Sequence, residues 1–94
     1  MMIAAVTLRL YAPWARSLKD KRAVVKSLVA KLQSRFHASA AEIDAQDSHR
    51  VLVIGVAAIV ANRAMADHWM DEICRFVEEN CEAELLEQTR ELYG

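Results

Sequence analysis

Five basic residues lie close together near the start of the first predicted helix. This basic cluster consists of Arg16, Lys19, Lys21, Arg22 and Lys26. Cations at a helix start oppose the helix dipole, at a cost of roughly 0.3–1 kcal/mol each, so a compensating anion is expected. The free backbone N–H groups of a first helical turn, together with several cations, suit a phosphate group of RNA. The basic cluster is therefore a candidate RNA- or anion-binding site.

The distribution of charge along the chain offers an intramolecular alternative. Residues 1–36 contain eight basic residues and one acidic residue, whereas residues 64–94 contain nine acidic residues and two basic ones. If the two predicted helices run antiparallel, Glu78 and Glu79 at the end of the second helix lie beside the start of the first, and they also oppose their own helix dipole. The basic cluster then either pairs with these glutamates or is a solvated surface, and a surface ion pair contributes only about 0–1 kcal/mol.

The other residue types that carry chemistry do not form a recognised site. Gly55 and the terminal Gly94 are the only glycines, which excludes a glycine-rich phosphate loop and a dinucleotide-binding fingerprint. Cys74 and Cys81 lie seven residues apart without a Cys-x-x-Cys motif, and the three histidines are scattered. We therefore expect no catalytic residue, no cofactor and no metal site, and hence a protein that is not an enzyme.

The two tryptophans have different predicted environments. Trp69 falls on the apolar stripe of the second predicted helix and is expected in the core. Trp14 follows Pro13 in the turn before the first helix, close to the basic cluster. It either packs within the loop or forms, with Pro13 and Tyr11, an exposed aromatic edge of the kind that stacks on nucleic-acid bases.

Length and composition predict a single domain over residues 1–94. Apolar residues make up 54% of the sequence and charged residues 27%, a balance that supports a packed core. The longest apolar run, residues 51–61, is shorter than the roughly 20 residues that a membrane-spanning helix requires. The first residues lack the basic start and the cleavage site of a signal peptide. We expect a cytoplasmic protein that does not contact a membrane.

Alternating and helical patterns of apolar residues predict six secondary-structure elements. Ser17 and Asn62 are the predicted N-caps of the two helices. The final segment contains residues that favour a helix locally, but the preceding order of elements favours a strand. The predicted elements are a strand at 3–11, a helix at 18–36, strands at 39–45 and 51–60, a helix at 63–80 and a strand at 83–93.

This order predicts an α+β fold, a ferredoxin-like β-α-β-β-α-β sandwich. Its four-stranded antiparallel sheet has the strand order 4-1-3-2, and both amphipathic helices cover one face. The third strand is apolar on both of its faces, so its second face also requires cover. A homodimer that buries this open sheet face, around Ala5 and Tyr11, would provide it.

Two blocks of the sequence resemble a known family. Pro13 and the segment Ser17-Leu18-Lys19-Asp20-Lys21-Arg22 are similar to the "P…SLKEKR" signature of the small uncharacterised bacterial YlxP-like proteins. The second block matches the "AEV…QD", glycine and "N-x-R-A" features of that family. Its residues are Ala41-Glu42-Ile43, Gln46-Asp47, Gly55 and Asn62-Arg63-Ala64.

The resemblance implies a ferredoxin-like fold, in agreement with the pattern of elements, and it implies no known activity. Genes of this family commonly neighbour those of ribosome maturation and translation initiation. Together with the basic cluster, this favours a non-enzymatic accessory of ribosome assembly or translation that binds ribosomal RNA or a ribosomal protein. The alternative is a self-associating module, a homodimer through the open sheet face, that does not bind nucleic acid.

Overall fold

The computed structural model describes all 94 residues and contains the six predicted elements in the predicted order. Both helices have the predicted bounds, and three strand ends differ from the prediction by one residue. The elements are β1 (Met2–Tyr11), α1 (Leu18–Phe36), β2 (Ser39–Asp44), β3 (Val51–Val60), α2 (Arg63–Asn80) and β4 (Glu84–Tyr93).

The four strands form one antiparallel sheet in the order β2-β3-β1-β4, which confirms the predicted ferredoxin-like arrangement. The central strand β1 pairs along its length with both β3 and β4. Its residues alternate between the two faces of the sheet, as the period of two requires. Ala4, Val6, Leu8 and Leu10 are completely buried beneath the helices.

Local capping interactions define where the helices begin and end. The Oγ atom of Ser17 accepts a hydrogen bond from the backbone N–H of Asp20 at 3.2 Å, and Oδ1 of Asn62 accepts one from Met65 at 2.9 Å. Both side chains thus satisfy a first-turn amide, as N-caps do. His37 ends α1 in the left-handed conformation, with φ of 49°.

The core lies between the sheet and the two helices. Leu28 and Leu32 of α1 and Ile73 and Val77 of α2 are buried against the inner face of the sheet. At the far end of α1, the rings of Phe36 and Phe76 meet edge to face, with centroids 5.5 Å apart. Neither α1 nor α2 combines length with the apolar character that crossing a bilayer demands.

No helix covers the outer face of the sheet, and the outward side chains of β3 range from the buried Val53 to the exposed Ile59. The side chain of Ile43 lies over Gly55, and a Cβ atom at this glycine would be 3.1 Å from Cγ2 of that isoleucine. This close approach explains the glycine within a strand. Ile3, Ile59 and Tyr93 are neighbours in one row across β3, β1 and β4, and all three are exposed.

Candidate functional site

Lys21 lies in the protein interior, which corrects its predicted place in an exposed anion site. Its side chain is completely buried, with a relative exposure of 1% for the whole residue. The Nζ atom lies 2.8 Å from Oε2 of Glu42 on β2 and donates a hydrogen bond of 2.6 Å to the carbonyl oxygen of Ala45. Lys21 therefore joins α1 to β2 and to the loop that follows it, and it is not accessible to a ligand.

The position of Lys21 on the helix explains its burial. At 100° per residue, Lys21 points within about 20° of Leu28 and Leu32, which face the sheet. Oε2 of Glu42 is buried and has no donor in hydrogen-bond geometry, so the nearby ammonium group alone balances its charge. The spacing of Lys21 from two core leucines, seven and eleven residues further on, is the sequence signal that indicates this inward position.

The other four members of the predicted cluster are exposed and form what we call the basic surface: Arg16, Lys19, Arg22 and Lys26. The charged side-chain group of none of these four residues lies within 4.0 Å of a carboxylate oxygen, and the alternative pairing with Glu78 and Glu79 does not form. The three ion pairs of the protein are Lys21–Glu42, Arg75–Glu72 and Arg90–Asp71.

The flank of α1 on which these cations lie accounts for the missing pairs. Lys19, Arg22 and Lys26 fall within about 60° of one another around the helix axis. The end of α2 instead meets the flank that contains Asp20 and Lys31, since these two residues line a cleft shared with Asn80, the last residue of α2. Glu79 lines a second cleft together with Arg35 and Phe36 at the end of α1, so the basic flank near the start of α1 does not face the glutamates.

The first turn of α1 adds unused hydrogen-bond donors to the basic surface. The backbone amides of Leu18 and Lys19 donate no hydrogen bond within the chain, whereas that of Asp20 is taken by Ser17. The carboxylate of Asp20 accepts the backbone N–H of Arg16 at 2.9 Å. The exposed side-chain cations, together with these two amides, can hold the oxygens of a phosphate group on the basic flank, whereas the Asp20 carboxylate opposes an anion on its own side of the turn.

The cysteines and the acidic residues show no arrangement for covalent or metal chemistry. Cys74 and Cys81 are both free thiols, and burial raises the pKa of each above the ordinary value of 9.0. Both thiols are therefore protonated at neutral pH, and the thiolate is the reactive form. No group of three or more histidine, cysteine, aspartate or glutamate side chains is placed to hold a metal ion.

Comparison with known proteins supports the resemblance in the sequence blocks. Lys21 of the first block and Glu42 of the second are the two partners of the interior ion pair, so the blocks meet in the folded chain. The family model described as DUF503, a protein of unknown function, matches residues 3–90. An uncharacterised protein, YlxP of Bacillus subtilis (strain 168), is 33% identical over 64 residues, which cover 68% of this chain and 70% of the relative. The chain belongs to the DUF503 family.

Proposed function

We propose that this protein is a non-enzymatic accessory of ribosome assembly or translation that binds RNA through the basic surface. The observation that carries the proposal is the group of four exposed cations at and near the start of α1, none of which uses its charged side-chain group in an ion pair, next to two free amides. The ribosomal context comes from the gene neighbourhood that the family resemblance implies. The loss of Lys21 from the surface leaves Arg16, Lys19, Arg22 and Lys26 as the phosphate contacts.

The distribution of charge over the rest of the molecule supports binding of RNA at the basic surface. The exposed charged residues of α2 and β4 are mainly acidic and repel a polyanion. With a net charge of −1 the molecule as a whole does not attract a polyanion, so the attraction depends on local positive charge such as that of the basic surface. Each phosphate contact releases counterions, so the affinity falls as salt rises, with a slope of about −0.7 per contact for a single strand.

Charge reversal of Lys19 and Arg22 is expected to weaken the association with ribosomal particles by roughly 10- to 100-fold, because two phosphate contacts become repulsive. The measurement is co-sedimentation of Lys19→Glu/Arg22→Glu with small and large ribosomal subunits at low and at moderate salt. Wild-type binding should be saturable and should weaken with salt.

A matched control makes the same change of net charge on the other helix. Arg63→Glu/Arg75→Glu alters two exposed arginines of α2, outside the basic surface, and should retain wild-type association. Equal binding by the Lys19/Arg22 variant and the wild type would reject the basic surface as the RNA contact.

The second candidate function is self-association through the open sheet face. The observation that favours it is the row formed by Ile59, Ile3 and Tyr93, which places three exposed apolar side chains next to one another on adjacent strands. The occupant that we propose is a second copy of the chain, whose own apolar row would be buried by the same contact. RNA binding and dimerisation use different surfaces and are compatible.

For self-association, we expect the wild-type protein to have a dimer mass by light scattering at a concentration of roughly tens of micromolar. Ile59→Lys should shift the mass to that of the monomer, because a buried interface cannot accept an unpaired ammonium group. Ala30→Lys adds the same ammonium group at an exposed position of α1, on the opposite layer of the molecule, and should leave the dimer intact. A monomeric wild-type protein would exclude this candidate.

A further inference from the structure

A cleft adjoins the basic surface on the other flank of α1. It has a volume of about 420 Å³, within the range of roughly 300–1,000 Å³ typical of small-ligand sites. It lies between the turn that contains Trp14, the flank of α1 from Asp20 to Lys31, the last residue of α2 and residues 81–82 before β4. Its chemically distinctive lining residues are Trp14, Asp20, Lys31, Asn80, Cys81 and Glu82.

Trp14 lines this cleft and lies in a turn that hydrogen bonds hold at both of its ends. The backbone N–H of Ala12 donates to the carbonyl of Arg50 at 2.7 Å, and that of Ala15 donates to the carbonyl of Ala12 at 3.1 Å. The Nε atom of Arg50 returns a hydrogen bond of 3.3 Å to the carbonyl of Ala15. Both alanines are buried while Trp14 is 41% exposed, so a rigid turn displays the indole ring. Because the backbone of this turn is already fixed, only the side-chain torsions of Trp14 have to be ordered when a base stacks on its ring.

The polar groups of the cleft suit the edge of an uncharged base better than a phosphate. Asp20 and Glu82 contribute carboxylates, which repel phosphate but accept hydrogen bonds from base N–H groups. Asn80 donates through Nδ2 to the carbonyl of Phe76, which leaves its own carbonyl oxygen free. Lys31 supplies a donor and has no carboxylate within 4.0 Å.

The sequence places this cleft next to the phosphate contacts, because Arg16 of the basic surface follows Trp14 by two residues. The basic flank of α1 attracts the phosphates of the RNA backbone. The other flank, which lines the cleft, offers polar groups that can bind a base attached to that backbone. We propose that the cleft takes one unpaired base of single-stranded RNA, stacked on Trp14, while the adjacent phosphates contact the basic surface. This inference rests on the proposed function and adds the class of RNA that the site prefers.

The test compares a single-stranded oligoribonucleotide of about ten nucleotides with a blunt RNA duplex of equal length. In a Trp69→Phe background, Trp14 is the only tryptophan, so its fluorescence reports on the cleft. We expect the single strand to quench this fluorescence at saturation and the duplex to leave it unchanged, because paired bases cannot enter the cleft.

Affinities of Trp14→Leu in the natural background give a second readout that does not depend on the Trp69→Phe variant. Loss of one stacked base should weaken single-strand binding by about 5- to 150-fold and leave duplex binding unchanged. Tyr93→Leu, which removes an exposed aromatic ring from the open sheet face, should bind as the wild type does.

The outcomes separate this inference from the proposed function. If the single strand binds but neither quenches Trp14 nor loses affinity in Trp14→Leu, the base site is rejected and the basic surface remains as the RNA contact. If neither the single strand nor the duplex binds at low salt, the proposed function and the base site are both rejected.

Discussion

Replacing Lys21 by methionine is expected to lower the free energy of unfolding by about 3 kcal/mol. The change removes the only cation beside the buried Oε2 of Glu42 and one of the two donors to the carbonyl of Ala45, the other being the backbone N–H of Ser48. Breaking a buried ion pair from one side typically costs about 3–5 kcal/mol, and the 20% exposure of the Glu42 side chain places this pair at the lower end. Urea denaturation followed by circular dichroism measures the loss.

Two further variants separate the effect of breaking the ion pair on stability from the effect of replacing a lysine by methionine. In Lys21→Met/Glu42→Leu no unpaired charge remains, so the stability should return to within about 1 kcal/mol of the wild type. Lys26→Met makes the same substitution at an exposed position of α1 and should change the stability by no more than about 0.5 kcal/mol. A Lys21→Met protein as stable as the Lys26→Met protein would show that the pair does not contribute to stability.

Truncation of Ile54 to alanine is expected to lower the free energy of unfolding by about 2–5 kcal/mol. Ile54 is in the middle of β3 with a relative exposure of 0%, and its side chain points toward the helices. The loss combines the hydrophobic transfer energy of the removed carbons with the cost of a cavity in the core. Thermal and urea unfolding of the purified variant measure it.

Ile59 provides a matched comparison on the same strand. It is 71% exposed on the outer face, so Ile59→Ala should change the stability of the monomer by no more than about 0.5 kcal/mol. A similar loss in both variants would contradict the assignment of the two faces of β3. Under the second candidate function, Ile59→Ala weakens the dimer, and its unfolding then depends on protein concentration.

The order and bounds of the elements could be predicted because their signals are local. Alternation along β1, the apolar stripes of the helices and the caps at Ser17 and Asn62 each depend on residues a few positions apart. The strand β4 is different, since its residues favour a helix locally and pairing with β1 decides its conformation. Its prediction came from the order of the preceding elements, which shows tertiary context outweighing propensity.

The candidate site could be predicted only in part, because its composition depends on how α1 is rotated about its axis. Their charge alone groups Lys21 with Lys19 and Arg22. In the observed orientation of α1, however, Lys21 points inward to Glu42, and the other two side chains are exposed to solvent. The same rotation separates the basic flank from Glu78 and Glu79. The exposure of Trp14 likewise depends on residues far apart in the sequence. Hydrogen bonds between Arg50 and the flanking Ala12 and Ala15 fix the turn that exposes it, and a short stretch of sequence around Trp14 does not contain Arg50.

The acidic outer strand β4 has a consequence for the behaviour of the protein at high concentration. A free sheet edge ten residues long is a template on which further chains can add as strands and grow into aggregates. Glu84, Glu87 and Glu91 are spread along this edge and are exposed. A second copy arriving edge to edge would bring its own row of carboxylates against them, at a repulsive cost. The chain is thus protected against fibre-like growth at β4, while the apolar row on its outer sheet face stays open to a partner.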